Sequence, residues 1–171
     1  MKSYFRAFSV LSLLAGGLSL FSPSVSAMSQ RPIAKLSKAP DFSLPLLTDP
    51  NKKIRLSELT QNKPVLVAFW ASWCPSCVEE IPALNAWYRK FVHEGIEIIG
   101  VSVQDEPEAI KRLMTRTPIE FPVLMDPEGK IAEAYGISAL PVSIVVAKGG
   151  EIIYYGFSLP KHLESFIQKG A

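Results

Sequence analysis

Apolar and polar positions along the chain fall into blocks of two periods. Residues 65–70 (VLVAFW) form an unbroken apolar run, β-branched and aromatic, the pattern of a strand buried on both faces. Beyond Cys77 the period changes. Val78, Ile81, Leu84, Tyr88 and Phe91 recur at helical spacing, predicting a helix from Pro75 to His93 that stops at Gly95. Pro82 lies inside it and is expected to kink it. Residues 96–103 (IEIIGVSV) read as a second buried strand, and 106–115 as a helix ended by Thr117-Pro118. A short strand over 121–125 follows. Asp126-Pro127 reads as an N-cap with proline at the first helical position, opening a helix through Tyr135 that closes at Gly136. Residues 142–147 and 151–155 predict a hairpin across Lys148-Gly149-Gly150, and 158–169 a last helix. Upstream, 41–47 and 52–56 read as short strands around the turn cluster 48–51, followed by one helical turn at 57–59. This order predicts an α/β domain: a central mixed β-sheet flanked by helices, with an N-terminal β-hairpin.

The first residues follow a different logic. Lys2 and Arg6 precede an apolar stretch over 7–21, and Val25-Ser26-Ala27 places small residues at a cleavage position. This three-part layout predicts a secretory signal over 1–27, cleaved after Ala27. The apolar stretch is shorter than the roughly 20 residues of a spanning helix, which disfavours the alternative of an N-terminal membrane anchor. Residues 28–38 read as a flexible leader and 39–171 as the folded domain. The expected location is extracytoplasmic, the periplasm if the cell has two membranes, where disulfides persist.

Charge then changes the picture. The 171-residue chain has a formal net charge of +2, but both excess cations sit in the expected signal, so the rest is neutral. A neutral surface gives no electrostatic reason to expect nucleic acid or an anionic membrane as partner.

The chain has only 2 cysteines, Cys74 and Cys77, and they sit where the buried strand passes into the helix. A helix start offers unpaired N–H groups and the positive end of the dipole, which favour a thiolate, the nucleophilic form. Cys74, expected at the exposed tip, is the candidate nucleophile. Cys77, one turn in and more covered, is the candidate resolving thiol. A purely structural disulfide across so small a loop would contribute only about 2 kcal/mol in the chain-entropy picture. A zinc site would need a second close pair of ligands, which His93 and His162 do not supply. No metal and no cofactor are therefore expected, and both histidines read as surface residues. Glu80 lies three residues after Cys77, on the same helical face. It is either a solvated surface acid or the proton acceptor that thiol exchange requires. Glu79 points elsewhere. Phe69, Trp70 and Trp73 read as core and rim aromatics, Trp73 being a candidate shield for the sulfurs and, with Leu140, a candidate substrate contact. Pro141 reads from the residues alone as a loop proline that begins a strand.

A Cys-x-x-Cys opening a helix after a strand is the thioredoxin-type redox signature. The stretches VAFWASWCPSCVEEIPAL and GISALPVSIVV further resemble the exported thioredoxin-like family of TlpA, ResA and CcmG (also called DsbE), from about Ala39 to the C-terminus. The resemblance implies a thioredoxin-like fold and thiol–disulfide exchange. It places Glu80 close to the cysteine pair and makes Pro141 the cis-proline that faces the disulfide and docks substrate backbone. Ordinary thioredoxins carry a buried acid on the preceding strand, and here that position is Ala68. The implied partners are disulfide-bearing exported proteins, such as the haem-binding cysteines of apocytochrome c, and a membrane-embedded thiol reductase as electron donor. The chain is expected to be a monomer. Cys-Pro-Ser-Cys is nearer the CcmG-type Cys-Pro-Thr-Cys than the ResA-type Cys-Glu-Pro-Cys, whereas Ala-Leu-Pro-Val departs from the CcmG-type Gly-Ala-Pro-Glu.

Three other activities compete with a disulfide reductase. A DsbA-type oxidase would use the same residues and differ in reduction potential. A thiol peroxidase would need Pro-x-x-x-Thr/Ser-x-x-Cys, and no proline stands at that spacing before Cys74. A Sco-type copper carrier would need Cys-x-x-x-Cys, one residue longer than the spacing here.

Overall fold

The computed structural model describes residues 37–169, so the expected signal segment 1–27 and most of the leader lie outside the described residues. The sheet is built from β1 (Ser43–Leu46), β2 (Asp49–Arg55), β3 (Val65–Trp70), β4 (Glu97–Val103), β5 (Val123–Asp126), β6 (Val142–Val146) and β7 (Ile152–Gly156). The helices are α1 (Leu56–Leu59), α2 (Pro75–Phe91), α3 (Pro107–Met114), α4 (Lys130–Ala134) and α5 (Glu164–Lys169). Together they make a thioredoxin-like fold. One seven-stranded sheet runs in the order β2-β1-β5-β4-β3-β6-β7. β3 pairs parallel with β4 and β4 with β5, while β6 runs antiparallel to β3 and β7 to β6. The N-terminal hairpin β1–β2 joins antiparallel along β5.

The apolar runs end up central because only there are both faces covered. All six residues of β3 are buried. Their side chains alternate between two clusters, as strand geometry requires. Leu66, Ala68 and Trp70 enter one with Cys74, Cys77, Ile81 and Ile98. Val65, Val67 and Phe69 enter the other with Phe42, Val101, Ile144 and Tyr135. Gly100 on β4 is required by close approach. A Cβ there would stand 2.7 Å from the Phe121 ring and 2.8 Å from the Trp70 indole nitrogen.

Several boundaries differ from the sequence expectation. The first turn is tighter, with β2 beginning at Asp49 directly after Leu47-Thr48, and the Asn51 N–H donates to the Asp49 side chain. α2 runs through Pro82 and ends at Phe91, and Gly95 takes φ 100° in the turn beyond. Asp126 does not sit at the N-cap of α4. It ends β5, and Gly129, at φ 71°, occupies the cap. Asp126 still serves the helix, because its Oδ2 accepts from the N–H groups of Ile131 and Ala132 at 3.0 Å each. The last helix starts at Glu164, later than expected. At the other end, Lys38 bridges to Glu151, the Ala39 N–H donates to the Gly150 carbonyl, and the Ile152 N–H donates to the Ser37 carbonyl.

Candidate active site

The site grows out of the join between β3 and α2. Ala71 to Cys74 makes a turn closed by the Cys74 N–H on the Ala71 carbonyl at 3.2 Å. Cys74 is the N-cap of α2, and Pro75 fills the first helical position, where a missing N–H costs nothing. Cys77 follows in the first turn, and the two sulfurs form a disulfide. The Cys77 N–H points at Cys74 Sγ, 3.3 Å away. That is the contact that would hold a thiolate once the bond opens. The first turn carries no acidic residue to oppose it.

Burial opposes the same thiolate. Cys74 is 5% exposed and Cys77 2%, so the expected exposed tip is not found. The turn folds Cys74 into the apolar cluster that holds Ala71, Trp70 and Ile81, with Leu140 packed against it. Desolvation penalises charged sulfur. The two cysteines therefore differ by place in the helix, one at the cap and one inside, more than by exposure.

Glu80 is half-buried on α2 and Glu79 is exposed. Burial pushes the Glu80 carboxyl above its ordinary range, and the Leu159 backbone N–H partly offsets this. An acid so raised gives up and recovers a proton nearer neutral pH, which suits a proton relay. Leu140–Pro141 is a cis peptide. Both residues are half-buried, just before the fully buried β6. Trp73 is 58% exposed, and its indole N–H donates to the Gln104 carbonyl at 3.0 Å. Its ring is thus pinned to the corner between β4 and α3 and open to solvent. Ala68 is buried and apolar, and His93 and His162 are exposed. Among the described residues no group of three or more His, Cys, Asp or Glu is arranged to hold a metal ion.

The corner itself was not foreseen. Asp105 is 6% exposed and accepts hydrogen bonds from Ser72. Gln104 adopts φ 49°, alone among the described non-glycine residues in having positive φ. In sequence, Gln-Asp-Glu-Pro looks like an ordinary helix entry. Only the return of β4 beside β3 reveals what it touches.

Comparison with known proteins agrees with this geometry. The sequence pattern of the AhpC/TSA family matches residues 36–155. The ResA thiol-disulfide oxidoreductase of Bacillus cereus is 32% identical over 94% of this chain and 92% of its own length. That of Geobacillus kaustophilus is 32% identical over 78% of each chain. Among solved structures, one assigned to a thiol:disulfide interchange protein DsbE of Chlorobium tepidum superposes with TM-score 0.68 at 27% identity, covering 78% of this chain and 95% of that one. One assigned to a thioredoxin of Neisseria meningitidis gives 0.65 at 27%, covering 78% and 87%. The dipeptide between the cysteines leans toward CcmG, while similarity along the whole chain reaches ResA.

Proposed function

Since the chain belongs to the AhpC/TSA family, among its ResA-type thiol–disulfide oxidoreductases, we propose that it works as an exported reductant of protein disulfides. The observation that carries the direction is the burial of both sulfurs, 5% and 2% exposed. An apolar setting favours the neutral disulfide over a thiolate, so the oxidised form is stable and the dithiol gives up its electrons readily.

In the proposed cycle, Cys74 thiolate attacks one sulfur of a substrate disulfide. The substrate S–S bond breaks, a mixed disulfide forms, and the departing substrate sulfur takes a proton. Cys77 loses its proton to Glu80 and attacks Cys74 Sγ. The mixed disulfide breaks, the second substrate sulfur leaves as a thiolate and takes the proton back from Glu80, and the Cys74–Cys77 bond closes. Two electrons pass to the substrate and are restored by another dithiol protein, for which a membrane-embedded thiol reductase fits best. Leu140 and the cis Pro141 receive the substrate backbone, and the exposed face of Trp73 contacts residues beside its cysteine. Apocytochrome c is one substrate that the family resemblance supports. Export is supported by the signal-like layout of residues 1–27, and no helix among the described residues is long and apolar enough to cross a membrane.

A Cys77→Ala variant tests the cycle. It is expected to lose at least about a thousandfold in turnover and to accumulate a mixed disulfide through Cys74 with exported proteins. Titration of the parent against glutathione tests the direction. A potential as oxidising as that of DsbA, about −120 mV, would replace the reductant with an oxidase.

A further inference from the structure

The turn that carries Cys74 is held from outside its own helix by a carboxylate that the cycle above does not use. Asp105 Oδ2 accepts the Ser72 N–H at 2.6 Å and the Ser102 hydroxyl at 3.0 Å. Oδ1 accepts the Ser72 hydroxyl at 2.8 Å and the Glu106 N–H at 2.9 Å. No ion pair to Asp105 occurs among the described residues. A buried carboxylate without a cation is costly and persists only when donors fill its lone-pair directions, as four do here. Half of those donors belong to Ser72, two residues before the nucleophile. The next residue, Trp73, is bonded to the carbonyl of Gln104, the neighbour of Asp105. The corner is itself anchored, because the Gln104 N–H donates to the Asp126 carbonyl at 3.0 Å and the Asp126 side chain caps α4.

We propose that Asp105 is a positioning residue for thiol exchange: through Ser72 it keeps Cys74 Sγ beneath the Cys77 N–H when the disulfide is open. While the disulfide is closed, the covalent bond fixes the sulfur. Once it is reduced, the turn over residues 71–74 is free to relax unless something else holds it. The hold then decides how much of Cys74 is thiolate at a given pH, since the N–H contact offsets part of the burial penalty only at hydrogen-bond distance. The role needs only the Cys74–Cys77 exchange, and it stands whichever way electrons flow and whatever the substrate is.

Two serines make a matched test, because each gives one hydroxyl to the same carboxylate, Ser72 from the cysteine turn and Ser102 from β4. Asp105→Asn would also remove a buried charge and risks misfolding, so the serines carry the test. The measurement is the rate at which reduced protein is alkylated by iodoacetamide across pH 5 to 10, read at Cys74, with thermal unfolding alongside. For Ser72→Ala we expect alkylation at pH 7 to fall about three- to tenfold, with its pH midpoint moved upward. For Ser102→Ala we expect a lower Tm but an alkylation profile within twofold of the parent. The proposal is overturned if Ser72→Ala leaves the profile unchanged, or if Ser102→Ala moves it as far. Since no protein substrate enters the assay, its outcome is independent of whether the reductant reading survives.

Discussion

The two faces of the sheet are built from alternate residues of the same strands, yet they hold different things. Behind Val65, Val67 and Phe69 the buried members of the cluster are apolar except for Tyr135, whose hydroxyl donates to the Pro40 carbonyl at 2.7 Å, and the half-buried Tyr155 packs against them. Burial and the nearby Asp41 charge both push that hydroxyl far above its ordinary pKa, so it stays a neutral donor. Behind Leu66, Ala68 and Trp70 the cluster includes both sulfurs and Ile81, the residue that follows the half-buried Glu80 on α2. The lesson is a division of labour by strand parity. One face is packed almost wholly with apolar side chains, while the other holds the disulfide and the groups proposed to exchange electrons and protons.

Breaking the stable face should cost most. Phe69→Ala removes a fully buried ring that packs 5.3 Å, centroid to centroid, from Tyr135. We expect about 3–5 kcal/mol of lost stability in denaturant titration, with exchange rates little changed in whatever fraction stays folded. An equal loss of rate in that folded fraction would show that the two faces are not separable.

On the reactive face the expected effect is chemical. Glu80→Gln should slow disulfide reduction about tenfold or more if it removes the proposed proton acceptor. Its stability effect has a sign fixed by the raised carboxyl pKa. A raised acid favours the protonated folded state, so its contribution is fully present below the ordinary carboxyl value and is lost as pH rises through the raised one. Glu80→Gln should therefore gain Tm relative to the parent between pH 4 and pH 7. A relative fall over that range would mean that the charged form is the one the fold prefers.

The smallest change sharpens the contrast. Tyr135→Phe should cost about 1 kcal/mol, the value of one hydrogen bond whose acceptor can be left unpaired, and should leave the alkylation profile of Cys74 untouched.

Much of this arrangement was legible because it follows local rules. The period-2 and helical runs located β3, α2 and β4, and the cysteine pair marked the site. Long-range partnerships were not legible. Asp105 reads as an entry to α3, and its tie to Ser72 exists only because β4 lies parallel beside β3. Asn85 looks like a polar position on α2, yet it is buried, giving its amide to the Pro118 carbonyl and receiving the Glu120 N–H. The burial of Cys74 is not legible in the sequence for a similar reason, since a helix start alone does not reveal what packs over it.

The outer strands carry one more consequence. β2 presents Asp49, Pro50, Asn51, Lys52 and Lys53 along its length, all exposed. Beyond β7 the short segment Ser37–Ala39 already takes up backbone groups of Gly150 and Ile152. Charge and proline on one border, and a piece of its own chain on the other, discourage an unfolded neighbour from zipping onto the sheet. If the proposed disulfide-bearing clients arrive partly unfolded, with strands showing, the protein can thus meet them at the sulfurs without becoming a seed for their aggregation.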